Sequence, residues 1–305
     1  MSQPLPPLTC VKAWLAHWEL PAPLRVRRVA GGFTSHAWRL ETSDRRFLAK
    51  LAYQPPSDVE NGLRAAAIVA KTGLNTGVPV LTRNAELVRL VEYPIQQSHA
   101  LAVLQFIEGQ PLDWRADGSL TIVGNTLGTI HRALLDDSSL ELPDQLFSYL
   151  LKDDAWGRHP ELQLLLTRAV DAVRTFEARQ RVAYGPIYGD GLQVRIDPRD
   201  GSVGVIDWGT VSFGPLVFDL ALAAVAARGA RHRDLGELWA SYFEQGPVRQ
   251  EELDGLRSYE ALMWARSAKY FAYRIQHGVM LGDARPGANE RSLARALAAL
   301  HRLLD

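Results

Sequence analysis

The sequence has a single cysteine, Cys10, and only three methionines in 305 residues. One thiol excludes an intramolecular disulfide and any thiolate metal cluster, and it predicts a reducing, cytoplasmic setting. The opening residues, MSQPLPPLT, lack the basic region and apolar run of a secretory leader and predict the same. Charge of one sign is also missing: 34 Lys+Arg balance 34 Asp+Glu, for a formal net charge of zero. That balance argues against bulk nucleic-acid binding by field alone. No apolar run reaches the length of a membrane span, and Leu220–Ala227 reads as a buried helix. There is no repeat, no low-complexity tract and no His/Cys cluster at metal-ligand spacing. What remains is a chain with 47% hydrophobic residues, long enough for a sizeable core and for two lobes sharing one cleft.

The pattern is strand-rich before Gly109 and helical after it. Cys10–Leu20 sets Val11, Trp14, Leu15 and Trp18 at helical spacing and stops before Pro21 and Pro23. Leu24–Ala30, Ala37–Glu41 and Phe47–Leu51 read as strands, separated by Gly31-Gly32 and by Ser43-Asp44. Asp58–Thr72 reads as a helix capped by Ser57 or Asp58 and ended by Gly73. Gly77–Leu81, Glu86–Glu92 and the mostly apolar Ala100–Glu108 are further strands, the last a buried central one. Helices are expected over Leu120–Leu135, Pro143–Leu151, Pro160–Gln180, Pro215–Ala227, Arg233–Gln245, Glu251–Gly278 and Asn289–Leu304. Strands gathered first and helices afterwards make an α+β pattern, with lobes expected at residues 1–108 and 109–305.

Between the helices, Gly185–Ala221 breaks the pattern. Asp190 and Asp207 each follow a short apolar run, and Pro198–Gly201 reads as the turn of a hairpin. A hairpin with a carboxylate near each open end can aim both at one point. Two such carboxylates suit a divalent cation and a proton acceptor, the parts that phosphoryl transfer needs. Upstream, Gly31-Gly32 is either an ordinary hairpin turn or a backbone cradle for phosphate, to which Thr34 and Ser35 would add hydroxyl donors. Lys50, at a strand end, is either solvated or a point charge within reach of phosphate oxygens.

Tyr188-Gly189-Asp190, Ile206-Asp207-Trp208-Gly209, Gly214-Pro215, Phe218-Asp219-Leu220-Ala221 and the helical Leu127-Gly128-Thr129-Ile130-His131 together resemble the aminoglycoside phosphotransferase and choline kinase family. The resemblance covers most of the chain. It implies a two-lobed protein-kinase-like α+β fold, with a small β-rich N-lobe and a larger helical C-lobe. It also implies transfer of the γ-phosphoryl group of ATP, with Mg2+, to a hydroxyl of a small molecule. By that likeness Asp190 is the catalytic base, Asp207 the main metal ligand and Lys50 the phosphate-binding lysine. Gly32, Thr34 and Ser35 belong to the loop over the phosphates, and Gln105, Phe106 and Ile107 to the linker whose backbone binds adenine. Glu60 is the acid expected to pair with Lys50. The offset from Gly77-Val78-Pro79-Val80 points nearer Arg64, and an acid favouring the helix dipole is the other reading of Glu60. Asp219 is expected to hold the loop backbone from a buried position, and His131 to be a packed, hydrogen-bonded core residue.

The chain departs from the family pattern in three places. Tyr188 stands where the family has His. Five residues after Asp190, where the family has a metal-binding Asn, stands Arg195, which offers no acceptor. A register two residues shorter puts Gln193 there instead, with an amide oxygen suited to magnesium. These departures leave a second reading, a degenerate nucleotide-binding protein that transfers no phosphate. Glu251–Gly278 carries Arg266, Lys269 and Arg274 among Trp264, Tyr270, Phe271 and Tyr273. A neutral or acidic acceptor suits that helix better than a polycationic one, although a solvated face beside a core stripe is the competing reading. Neither the oligomeric state nor the identity of the acceptor follows from the sequence.

Overall fold

The computed structural model describes residues 5–21, 25–29, 35–93, 97–144, 146–151, 160–279 and 286–305. The chain forms two compact units. The first is Met1–Gln110 with Arg195–Gly209 and Gly278–Arg285; the second is Pro111–Val194 with Thr210–His277 and Pro286–Asp305.

The first unit follows from period-two alternation. Its elements are α1 (Leu8–Leu15), β1 (Arg25–Val29), β2 (Ser35–Glu41), β3 (Arg46–Ala52), α2 (Pro56–Ala70), β4 (Pro79–Val80), β5 (Arg89–Glu92) and β6 (Ser98–Gln105), followed by the two-residue β7 (Gln110–Pro111). The sheet runs β1-β2-β3-β6-β4, with β5 also on β6. In register, Ala37 lies beside Lys50, and Lys50 beside Ala102. Alternate residues of β3 therefore serve opposite faces. Phe47, Ala49 and Leu51 join Trp38, Leu40, Leu101 and Val103 in a core that α1 closes with Val11, Leu15 and Trp18. Ala52 packs on the other side with Val59 and Leu63 of α2. Pro55 and Pro56 open α2, and no side chain caps it, so the expected Ser57 or Asp58 cap is not made. Proline at the first helical turn needs no such partner, because it has no N–H there to satisfy.

The second unit comprises α3 (Ser119–Asp136), α4 (Leu146–Leu151), α5 (Pro160–Glu177), β8 (Tyr184–Ile187), β11 (Ser212–Pro215), α6 (Val217–Gly229), α7 (Gly236–Phe243), the 3-10 turn Gln250–Gly255, α8 (Leu256–Gln276) and α9 (Ala288–Leu304). α6 is buried over most of its circumference, from Val217 to Ala227. β8 and β11 pair antiparallel, Ile187 opposite Ser212. That ladder is absent from the sequence expectations, because Gly185, Pro186, Gly214 and Pro215 sit inside it and such residues argue against strands.

The expected hairpin is present as β9 (Gln193–Ile196) and β10 (Val203–Ile206). Its turn is closed by Asp197, which donates its N–H to Ser202 O and accepts at its own carbonyl from Gly201 N. Residues 195–209 belong with the first unit for a specific reason. Asn75 donates to Val203 O at 3.3 Å and accepts from Val205 N at 2.8 Å, a parallel bridge to β10. Gly62 of α2 adds a contact that no other residue permits: a Cβ there would lie 2.2 Å from the carbonyl oxygen of Trp208.

Candidate active site

The first unit encloses a cavity of about 560 Å³. Its walls follow from the alternation already described. Leu48, Lys50 and Ala52 of β3 line it with Ala37, Ala102, Leu104 and Ile206. Lys50 Nζ donates to Asp207 Oδ1 at 2.7 Å, across a separation of 157 residues. The lysine side chain is 19% exposed and the aspartate 47%, so the pair is open to an incoming ligand. Asp207 has φ 69°, in the left-handed region that Asp tolerates better than most residues. Its turn is fixed from both sides. Gln54 Nε2 donates to Gly209 O at 2.9 Å, and buried Trp208 donates from Nε1 to Val205 O at 3.1 Å.

Gln105, Phe106 and Ile107 line the same cavity, as does Ser35. The N–H of Gln105 is committed to Val78 O at 2.9 Å and that of Phe106 to Arg46 O at 3.1 Å. Ile107 is buried, with its side chain against Gly77 and Gly204. Gly32 and Thr34 lie outside the described residues. Glu60 makes its ion pair with Arg64, at 3.8 Å, one helical turn along α2. Lys50 makes its ion pair with Asp207 instead. Arg27, Arg28, Arg39 and Arg195 also line the cavity. Glu41 offsets two of them, 2.5 Å from Arg39 and 3.8 Å from Arg27. The lining charge is mostly positive and favours an anionic ligand.

Arg195 donates from Nε and Nη2 to Gly109 O, at 3.1 and 2.5 Å. Its guanidinium is thus spent on a main-chain carbonyl. Gln193, two residues earlier on β9, is exposed and belongs by alternation to the same side of the strand. Among the described residues no group of three or more His, Cys, Asp or Glu side chains is arranged to hold a metal ion by itself.

Asp190 belongs to the second unit, and its exposed carboxylate accepts from Gly191 N at 2.8 Å. The two residues before it are fixed by their backbone. Tyr188 N donates to Asp219 Oδ2 at 2.6 Å, and Gly189 N to Asp219 Oδ1 at 2.9 Å. Thr210 Oγ1 donates to Tyr188 O at 3.0 Å, and an Arg266 guanidinium N–H donates to Gly189 O. Gly189 has φ 78°, and a Cβ there would meet Thr210 O at 2.5 Å, so both conformation and space call for glycine. Asp219 is 2% exposed. It also lies 3.0 Å from His131 Nε2, while His131 Nδ1 lies 2.8 Å from the Tyr242 hydroxyl. Burial pushes the Tyr242 phenol well up, against the opposing hydrogen bond from the Val248 backbone. A carboxylate only accepts, so His131 donates from Nε2 to Asp219 while Nδ1 meets the phenol. Asp219 and His131 thus hold the places expected of them. Tyr188 is fully buried, so its ring cannot touch a substrate.

The cations of α8 are engaged within the second unit. Lys269 is buried, donates to Tyr149 O at 2.5 Å and stands 5.0 Å over the Tyr149 ring. Arg274 is buried and donates to Asn289 Oδ1 and to the Tyr270 hydroxyl, both at 3.0 Å. With Arg266 on Gly189 O, these three side chains build the fold, and they supply no argument for an acidic acceptor. Thr210 and Arg266 were not legible as loop anchors, because each meets its carbonyl only through tertiary packing. Leu48 and Ala52 were not singled out either, although period two beside Lys50 is the signal that finds them.

Comparison with known proteins gives the family and the fold. The sequence profile described as the Phosphotransferase enzyme family matches residues 25–262. No curated protein matches the chain significantly. Among solved structures, a microcompartment-associated aminopropanol kinase superposes with a TM-score of 0.72 at 16% identity, covering 97% of this chain and 96% of that one. Amicoumacin kinase hAmiN, in complex with AMP-PNP, Ca2+ and Ami, superposes at 0.70 with 12% identity, covering 98% and 94%. Choline kinase LicA from Streptococcus pneumoniae superposes at 0.65 with 17% identity, covering 97% and 99%. At these identities the likeness is one of fold: α+β and kinase-like, with the sheet in the N-terminal part and helices in the C-terminal part. Among the described residues no helix is long and apolar enough to cross a membrane.

Proposed function

Because the chain belongs to the phosphotransferase enzyme family, we propose that it transfers the γ-phosphoryl group of ATP to a hydroxyl of a small-molecule acceptor. The observation that carries this reading is the Lys50–Asp207 pair, 2.7 Å apart in a cavity also lined by Gln105, Phe106 and Ile107. A cation and a carboxylate at one point match the two needs of a triphosphate: a point charge for its oxygens and an oxygen ligand for its metal. The relative hAmiN binds AMP-PNP with Ca2+, which supports a nucleotide and a divalent cation as the ligands.

The donor set fits Mg2+. Asp207 offers an exposed hard oxygen, and Gln193 would supply a neutral one from β9. Mg2+ takes few protein ligands and completes its shell with waters and phosphate oxygens, so no preformed cage is needed. When bound, it supplies charge neutralisation on the phosphate oxygens. Lys50 would steady the phosphates. Ser35, with Gly32 and Thr34, would cover them. The linker backbone around Ile107 would meet adenine. Asp190 would take the proton of the acceptor hydroxyl as its oxygen bonds to the γ-phosphorus. The bond from that phosphorus to the β–γ bridging oxygen then breaks, and ADP leaves with the electron pair. Positioning and charge do most of this work, since the phosphoryl group needs little covalent help. We assign Glu60 no part in pairing with Lys50. The lobes are proposed at 1–108 and 109–305, with 195–209 contributing to the nucleotide side, and the protein is proposed to act in the cytoplasm.

The test is ADP release and phosphate transfer over a panel of hydroxyl compounds, choline and aminopropanol included, with Mg2+ and then with chelator. Activity should require the metal. It should fall by about 10²- to 10³-fold in Asp207→Ala, the scale of lost charge stabilisation at such sites. Wild-type turnover persisting in Asp190→Ala would remove that residue as the base. Mg-ATP binding with no transfer to any acceptor would instead favour the degenerate reading.

A further inference from the structure

We infer that Arg266 is a positioning residue that sets the Asp190 carboxylate by clamping the peptide before it. The inference rests on the reading of Asp190 as the base. Tyr188 and Gly189 present four main-chain polar groups, and all four are met by side chains. Asp219 takes both N–H groups, Thr210 serves the Tyr188 carbonyl, and Arg266 serves the Gly189 carbonyl. The last bond differs from the other three. Gly189 C=O belongs to the peptide whose nitrogen is that of Asp190, so a donor on that oxygen fixes the plane from which the Asp190 side chain departs. Without it, that peptide can rotate, and Gly189 at φ 78° is a residue that permits such rotation.

The clamp is also built to stay. Arg266 lies within α8, between the buried positions Ala265 and Ala268. A guanidinium is a charged donor, and its bond to a neutral carbonyl is stronger than a neutral pair would be. Arg266 touches no reacting atom in this role, and α8 acts on the chemistry through Gly189.

The test uses Arg266→Gln and Arg266→Ala in the full chain. Hydrogen exchange of the peptide spanning residues 188–191 should quicken by about tenfold, while that of α5, α6 and α9 stays at wild-type rates. In Mg-ATP turnover, kcat should fall by about 10- to 100-fold with the KM for ATP changed less than about twofold, since a misplaced base is a transition-state loss. Millimolar guanidinium should restore part of the Arg266→Ala rate and leave the wild type unchanged. Unchanged exchange at 188–191 overturns the inference, and so does acceleration spread over the whole second unit. So does a kcat within twofold of wild type in a background where Asp190→Ala is inactive. If Asp190→Ala itself keeps full turnover, the reading of the base fails, while the exchange result still decides whether Arg266 holds the loop.

Discussion

Asp207 and Asp190 belong to different units and are held by different means. Asp207 has its carboxylate tied to Lys50 at a solvent-open site, and the turn around it is fixed by Gln54, Trp208 and the close approach of Gly62. Asp190 accepts from its neighbour's N–H, while the backbone before it is pinned by a carboxylate 2% exposed. An exposed ion pair adds at most about 1 kcal/mol, so Lys50 and Asp207 can trade each other for a ligand at little cost. A buried carboxylate that loses its donors, or donors that lose it, costs several times more. The turn at Asp207 is therefore adaptable, and the backbone before Asp190 is rigid.

Asp219→Ala breaks the rigid side outright. It strands two loop N–H groups and His131 in a buried place, and unfolding free energy should drop by about 3–5 kcal/mol in urea titration. Asp219→Asn keeps the shape and one acceptor, so its loss should be smaller, about 1–3 kcal/mol. A variant as stable as wild type would remove the contrast between the two sides.

Gly62→Ala attacks the adaptable side through its backbone rather than its charge. The added carbon would sit 2.2 Å from Trp208 O, so either α2 or the Asp207 turn must move. Stability should fall by about 1–3 kcal/mol, as in overpacked cores, and ATP affinity measured by calorimetry should weaken with it. Full affinity would show that the turn tolerates displacement.

The smallest effect concerns pH. Arg199 donates to Asp197 at the hairpin turn, and those bonds hold its carboxyl down at about 2, against an ordinary 3.8. A depressed carboxyl gives stability above its unfolded value and loses it as pH falls through the folded one. Arg199→Ala should therefore lower Tm by about 1 °C at pH 5 and above, with the difference closing between pH 4 and 2. A difference that persists at pH 2 would show that the turn depends on Arg199 for something other than charge.

Much of this was legible in the sequence because it is written locally. The strand alternation around Lys50, the Ile206-Asp207-Trp208-Gly209 turn and the acid at Asp219 each carry their signal within a few residues. Glu60 meets Arg64 because helical spacing puts that partner one turn away. The β8–β11 ladder was hidden by its own glycines and prolines. The α8 cations read as a surface because charge predicts solvent. Lys269 and Arg274 are buried because a carbonyl, a ring and an amide meet them there, and such partners have no local signature.

The first unit is discontinuous in sequence: it leaves off at Gln110 and resumes at Arg195. A ribosome delivers these pieces in order. While the intervening chain is being made, Asn75 has no strand to bridge, Gly62 faces no carbonyl and Lys50 has no counter-ion. The nascent sheet must wait with one wall of its cavity missing, and that stretch of synthesis is when the protein is most exposed to aggregation and to chaperones.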